Sequence, residues 1–280
     1  MDLRLITPAV QSRARRLVAV AALAMLASAA EQPDALARAR VAYNEQRYDE
    51  AIAAARAAER VPGTAPQARL LVARACIERF RLSGEAADLT TARNMLAAID
   101  SSKLTSRDRG ETQIGLAQLL FFDDRFGAAA ELFEDALSRA SEPGYGPRER
   151  LLGWFAASLD RLARLEETPV RRRIYRRLLD RMVLENRIGS GSAVASYWIV
   201  AATFGVDNVE NAWDAAVATW IRAPLTPGDG VALRADIDRF VQAVIIPRRA
   251  WLASAGDDVE PVADVFRRDW ESVKQTWPRR

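Results

Sequence analysis

The sequence predicts an all-α fold of repeated helix pairs closed by a helical C-terminal cap, and three observations carry that prediction. Alanine fills about a fifth of the 280 positions while glycine and proline number only 14 and 12, a balance that favours helices over many-stranded folds. Apolar residues recur at three- and four-residue spacing through most of the chain, and no stretch alternates with the period of two that a half-buried strand needs. A helix–turn–helix pattern also occurs twice in nearly the same form, around residues 42–52 and 120–130, which is the signature of a repeat architecture.

The first thirty residues read as an address rather than as part of the fold. Arg13, Arg15 and Arg16 precede an apolar run at Leu17–Leu26, and Ala27-Ser28-Ala29-Ala30 supplies small residues for cleavage, the three parts of a secretory signal. The apolar stretch ends at Ala30, short of the roughly 20 residues a spanning helix needs. Cleavage is expected after Ala29 or Ala30, giving an exported protein, periplasmic or secreted, whose only membrane contact would be an uncleaved N-terminus. No later run is long enough to span, so the mature chain is expected to be soluble. The net charge of +3 belongs to this segment: Arg4, Arg13, Arg15 and Arg16 stand against Asp2, and 36 basic and 36 acidic residues remain beyond it. A neutral remainder gives no reason to expect a nucleic-acid partner.

Beyond the signal, residues 31–143 carry the clearest repeats. Ala42–Ile52 reads as a helix end, a tight turn and a new helix, with Tyr48 three residues ahead of Ala51 and Ala58 seven further on; Pro62-Gly63 closes the unit. Ala68–Arg81 and Leu89–Asp100 form a second pair, with Ala73, Ala92, Leu96 and Ile99 on inward stripes and a long turn at Leu82–Asp88 between them. Leu120–Ala130 then repeats the first pattern, with Phe126, Ala129 and Ala136 in the places of Tyr48, Ala51 and Ala58, before Pro143-Gly144.

Residues 144–225 read as degenerate repeats. Arg148–Leu165 and Pro169–Glu185 keep helical periodicity without the small residues, Pro169 marking a helix start. Ser192–Phe204 pairs with a helix beginning at Val209, and Pro224 closes it. Residues 226–280 drop the pattern. Val231–Ile246, ended or kinked by Pro247, and an amphipathic helix from Glu260 or Pro261 through Trp277 form a tail of the kind that caps a helical array. Six of the seven tryptophans lie beyond residue 190, where their helical spacing assigns them to packing between helices. Trp270 and Trp277, seven apart, are expected to dock the last helix.

The spacing of small and aromatic residues resembles the tetratricopeptide repeat, a 34-residue helix pair. Ala39 and Ala117 match its small position in the first helix, Tyr48 and Phe126 its turn aromatic, and Ala51, Ala58, Ala129 and Ala136 its small positions in the second helix. Two antiparallel helices approach closely only where crossing side chains are small, and the aromatic fills the wedge beside them. Ala35 and Gln113 stand where the family carries a large aromatic. The resemblance implies an α-solenoid whose first helices line a concave groove, which places Arg40, Tyr43 and Asn44, then Arg74, then Gln118, Phe121 and Phe122 on that groove, with Leu36, Ile77, Glu78 and Ile114 beside them. Asn44 fits the family's carboxylate-clamp subtype, but Leu36, Glu111 and Gly115 occupy its other positions and exclude it.

Chemistry is otherwise sparse. The chain has no histidine and one cysteine, Cys76, which removes Ser-His-Asp and Cys-His catalysis, histidine-ligated metals and any intrachain disulfide. Gly189-Ser190-Gly191-Ser192 lacks the lysine of a P-loop and reads as a turn. Asp123-Asp124 and Glu166-Glu167 fall at turns, where acids cap helices. Arg171, Arg172, Arg173, Arg176, Arg177 and Arg181 crowd one helix, a basic face expected to be solvated and ion-paired. The expectation is a non-catalytic protein-interaction scaffold or adaptor of the cell envelope, without metal or cofactor, that binds a peptide or helix of a partner protein in the groove. Two other readings stay open: a carboxylate-dependent envelope carbohydrate hydrolase on a helical scaffold, and a self-associating structural subunit.

Overall fold

A computed structural model describes residues 35–277 except 142–143, 145, 189–190 and 227–229. The expected export signal, Pro143 and Gly189-Ser190 lie outside the described residues. Among those residues the fold is all-α, with no strand and no helix long and apolar enough to cross a membrane. The chain divides between Leu119 and Leu120 into two compact units. This division by packing falls inside the third helix pair and not at residue 143, where the repeat pattern weakens.

The first unit holds α1 (35–44), α2 (Tyr48–Glu59), α3 (Ala65–Ser83), α4 (Ala86–Ala97), a 3₁₀ turn at Ser101–Lys103, and most of α5 (Ser106–Phe122). Its interior is built from alanine. Ala39, Ala51, Ala58, Ala68, Ala73, Ala75 and Ala92 are fully buried, which lets antiparallel helices pack with little side chain between them. Gly115 continues the same logic on α5: a Cβ there would stand 3.3 Å from Leu96 of α4. The expected long turn at Leu82–Asp88 is a correction. α3 continues through Ser83, α4 begins at Ala86, and only Gly84 and Glu85 separate them, with Gly84 taking φ +73° to reverse the chain. The extra residues lengthen α3 to 19 because none of them breaks a helix.

The second unit holds α6 (Phe126–Ser138), α7 (Arg148–Arg164), α8 (Thr168–Ile188), α9 (Ala193–Gly205), α10 (Val209–Arg222), a 3₁₀ turn at Ala223–Leu225, α11 (Gly230–Phe240), α12 (Ile246–Ala253) and α13 (Val259–Thr276). Ser192 caps α9 by accepting the Ala195 N–H at 2.9 Å. Gly205 ends that helix against the Tyr175 ring, where a Cβ would overlap the ring at 2.4 Å. Pro247 does not end its helix. A π-helical segment, Val241–Ile245, joins α11 to α12, and Pro247 sits in the first turn of α12. Proline lacks an N–H and its ring collides with the carbonyl four residues back, so a widened turn ahead of it keeps the helical path. The core of α10–α13 gathers Trp213, Trp220, Leu233, Ile237, Val241, Ile245 and Trp270. Trp251 and Trp277 are exposed instead, so Trp270 alone of the expected i, i+7 pair docks α13 through its ring.

Three tight turns share one geometry. Gln46, Asp124 and Asp207 all have positive φ, at 61°, 57° and 64°. In each, the N–H of that residue reaches back three positions (Gln46 to Tyr43 at 3.0 Å, Asp124 to Phe121 at 3.2 Å, Asp207 to Phe204 at 2.9 Å) and the next N–H reaches back five (Arg47 to Ala42, Arg125 to Leu120, Asn208 to Thr203). These are Schellman endings, and each launches the next helix two residues later. Glycine is the residue such a position favours, and here none is glycine. Gln46→Gly and Asp124→Gly are each expected to stabilise the chain by roughly 0.5–1 kcal/mol, the left-handed strain removed less the added freedom of the unfolded chain; urea midpoints check this, and an unchanged or lower midpoint contradicts it.

Candidate functional site

Helices α1, α3 and α5 of the first unit contribute side chains to one small cleft of about 70 Å³. α1 supplies Arg40, Tyr43 and Asn44, α3 supplies Gln67 and Arg74 over a floor of Leu70 and Leu71, and α5 supplies Arg107, Asp108 and Glu111. The local sequence explains each contribution. Gln67 and Arg74 are seven apart, two turns of one helix face, as are Arg40 and Tyr43 at three and Arg107 and Glu111 at four. Thr105 opens α5 in capping fashion: its Oγ1 accepts the Asp108 N–H at 3.1 Å and donates to Asp108 Oδ2 at 2.8 Å.

The cleft is pre-ordered on one side and open on the other. The Arg74 guanidinium stands 4.6 Å over the Tyr43 ring and pairs with Glu111, while Arg107 Nε donates to the same carboxylate at 3.1 Å. A cation held both by an aromatic face and by a carboxylate has little rotamer freedom left to lose on binding. Asp108 is buried at 5% exposure. Gln67 extends its Nε2 to within 3.5 Å of Asp108 Oδ2, and its buried Oε1 has no hydrogen-bond partner, an acceptor position that a ligand N–H can fill. At the rim, Arg40 and Asn44 are exposed and make no hydrogen bond or ion pair with any described residue. Three arginines face two carboxylates, and one of those carboxylates is already shared by two of the arginines. Among the described residues, Arg40 is the cation of the rim that no carboxylate pairs.

The structure therefore brings Arg40, Tyr43, Asn44 and Arg74 together. It does not bring Gln118, Phe121 and Phe122 to this cleft. Gln118 is buried within α5. Phe121 and Phe122 lie in the second unit, edge-on to the Trp154 ring at 5.2 and 5.8 Å, and Phe121 also meets Phe126 at 5.3 Å. Trp154 in turn stacks on Phe133. These rings form a packing cluster of the kind aromatic quadrupoles favour. Gln67, Arg107 and Asp108 are cleft residues that sequence reasoning missed. Their signal was present as helical spacing to Arg74 and Glu111.

Burial pushes the Cys76 thiol up to about 11, which leaves it protonated and unreactive near neutral pH. Among the described residues no cluster of histidine, cysteine and acidic side chains has the arrangement of a metal site. Comparison with protein families, with curated proteins and with solved structures finds no match for this chain.

Proposed function

We propose that the chain is a non-catalytic scaffold of the cell envelope, built as a tetratricopeptide-like helical array, that holds an extended acidic segment of a partner protein in the first unit. The observation that carries this reading is the convergence of α1, α3 and α5 on one polar cleft. These are the first helices of three consecutive pairs, the set that lines the concave face in arrays of this kind. A cleft of about 70 Å³ admits one short side chain, whereas a docked helix is about 10–12 Å across, so the ligand form is an extended peptide and not a helix. Arg40 and Asn44 suit a carboxylate and a backbone amide of that peptide, and Gln67 Oε1 suits a donor N–H. Export rests on the signal pattern of residues 1–30, with Arg13, Arg15 and Arg16 ahead of the apolar run.

The test uses the chain purified from its own cells, immobilised against an envelope extract beside an Arg40→Glu/Asn44→Ala variant. Both side chains are exposed and have no partner among the described residues, so helicity and melting are expected to be unchanged. A partner held by the parent and lost about tenfold or more from the variant is the expected result, the loss of one charge-assisted contact and one amide contact. Equal capture by both places binding elsewhere. The intact mass of the same preparation is expected to correspond to a chain beginning at Ala30 or Glu31, and a full-length mass contradicts cleavage.

A further inference from the structure

We propose that the second unit carries a separate docking groove along α8 for an acidic amphipathic helix of a partner protein. Arg173, Arg176, Asp180, Leu184 and Arg187 are spaced three, four, four and three apart and so form one stripe on α8. The stripe runs about 21 Å along the helix axis. Two clefts of about 670 and 560 Å³ flank it, one bounded on its far side by Ile199, Thr203 and Asn211 and the other by Glu134, and Arg176, Asp180 and Leu184 line both. Leu179 and Val183 of α8, Ile199 of α9 and Val206 just past its end give the larger cleft an apolar side beside the polar Thr203, Asn208 and Asn211, and Leu184 is 49% exposed.

The arginines of α8 divide into two sets. Arg177 pairs with Glu131 and Glu134, Arg181 with Glu134 and Glu185, and Arg172 with Asp207; these lock α8 to its neighbours. No ion pair or hydrogen bond to any described residue holds Arg173, Arg176 or Arg187, and all three are exposed. An unpaired cationic stripe beside exposed leucine is complementary to a helix with acidic residues flanking an apolar seam. A stripe four turns long between two clefts fits a rod better than it fits the plane of a lipid surface. Asp180, midway along the stripe and without a partner among the described residues, opposes an anionic group at the centre of the ligand and favours a donor there.

The probe is a labelled model helix of about five turns, built from leucine on one face and glutamate and alanine on the others, followed by fluorescence anisotropy with the full chain. The matched helix with lysine for glutamate, and vesicles of phosphatidylglycerol and phosphatidylcholine in equal parts, are run beside it. The acidic helix is expected to bind with strong salt dependence. Arg176→Glu/Arg187→Glu is expected to weaken it about tenfold or more, corresponding to 1.4 kcal/mol per tenfold, and Asp180→Asn to strengthen it. Arg173→Ala/Arg176→Ala, a milder change, keeps the test valid should the charge reversal lower helicity. Equal binding of the lysine helix, indifference to both variants, or capture by the vesicles in preference to the acidic helix overturns the proposal. Arg40→Glu/Asn44→Ala is expected to leave this binding unchanged, which separates the groove from the cleft of the first unit.

Discussion

Replacing Trp270 with alanine is expected to cost about 3–5 kcal/mol and to lower the melting temperature of the second unit by roughly 10 °C. Trp270 is the one large side chain that α13 buries fully; Ala263 is buried beside it, and Val259, Val262, Phe266 and Val273 pack half-buried against the same core. The Trp270 ring packs edge-on against Trp213 and Trp220, at centroid separations of 5.8 and 5.5 Å. Its Nε1 donates to Asp238 Oδ1 at 2.7 Å, and Lys274 Nζ donates to the same oxygen at 3.1 Å. The Trp220 indole in turn donates to the Trp277 carbonyl at 3.1 Å, and Arg234, buried at 4% exposure, donates to the Trp220 carbonyl while stacking 4.7 Å over its ring. Truncation at Trp270 opens a cavity and removes the partner that orients Asp238. Trp270→Phe keeps most of the packing and loses the indole N–H, so about 1 kcal/mol is expected. Differential scanning calorimetry ranks the two; equal melting for Trp270→Ala and the parent contradicts this description of the core.

Arg148→Ala is expected to destabilise the same unit by about 2–3 kcal/mol, below the 3–5 of a fully buried pair. Glu185 is 3% exposed. Arg148 grips it with both Nε and Nη2, at 2.8 and 2.7 Å, and holds the Leu137 carbonyl with Nη1 at 2.8 Å. Arg181 adds a bond to Glu185 at 2.9 Å and remains after the substitution, and the Arg148 side chain is partly in water; both facts reduce the loss. Burial opposes ionisation of Glu185, and Arg148 and Arg181 overcome it, holding the carboxyl below its ordinary value. The folded chain therefore releases this proton more readily than the unfolded one. The stability that follows is fully present above the unfolded glutamate value of about 4.3 and is lost as pH falls through the lower folded value. Glu185→Gln is expected to be destabilising at neutral pH and to converge on the parent in acid. Urea unfolding across that range is the check, and a gap that widens with acid contradicts the sign.

Much of the helical core was legible in the sequence because alanine at a helix crossing has one physical meaning. Ala51, Ala58, Ala129 and Ala136, picked out by spacing, and Ala39 and Ala117, picked out by the tetratricopeptide resemblance, are all fully buried. The helix bounds fell within a few residues where a proline, a capping serine or a turn aromatic marked them, as at Ser192 and Tyr48. They failed at Leu82–Asp88, where residues compatible with helix surround a single glycine and only packing decides how far each helix runs. The candidate cleft was half legible. The tetratricopeptide resemblance placed Arg40, Tyr43, Asn44 and Arg74 on one face, but a repeat register cannot say how far along a helix a cleft lies. Arg107 and Phe121 are fourteen residues apart on α5, about 21 Å at 1.5 Å per residue; the cleft uses the first turns, and the phenylalanines of the last turn pack on Trp154. The arginines of α8 show the same limit. Composition marks the helix as basic, and only the positions of Glu131, Glu134 and Glu185 reveal which arginines are spent on ion pairs.

The central claim is that the cleft of α1, α3 and α5 is an occupied binding site in the cell. The most direct measurement places a photoreactive benzoylphenylalanine at position 44 of the full chain, irradiates intact cells, and looks for covalent adducts. The control position is 82, where exposed Leu82 lies about two turns beyond Arg74 on the same helix. The account predicts a discrete adduct with one partner chain from position 44, lost when Arg40→Glu is added, and no such adduct from position 82. Adducts of equal yield from both positions, or an adduct at position 44 indifferent to Arg40→Glu, would contradict it.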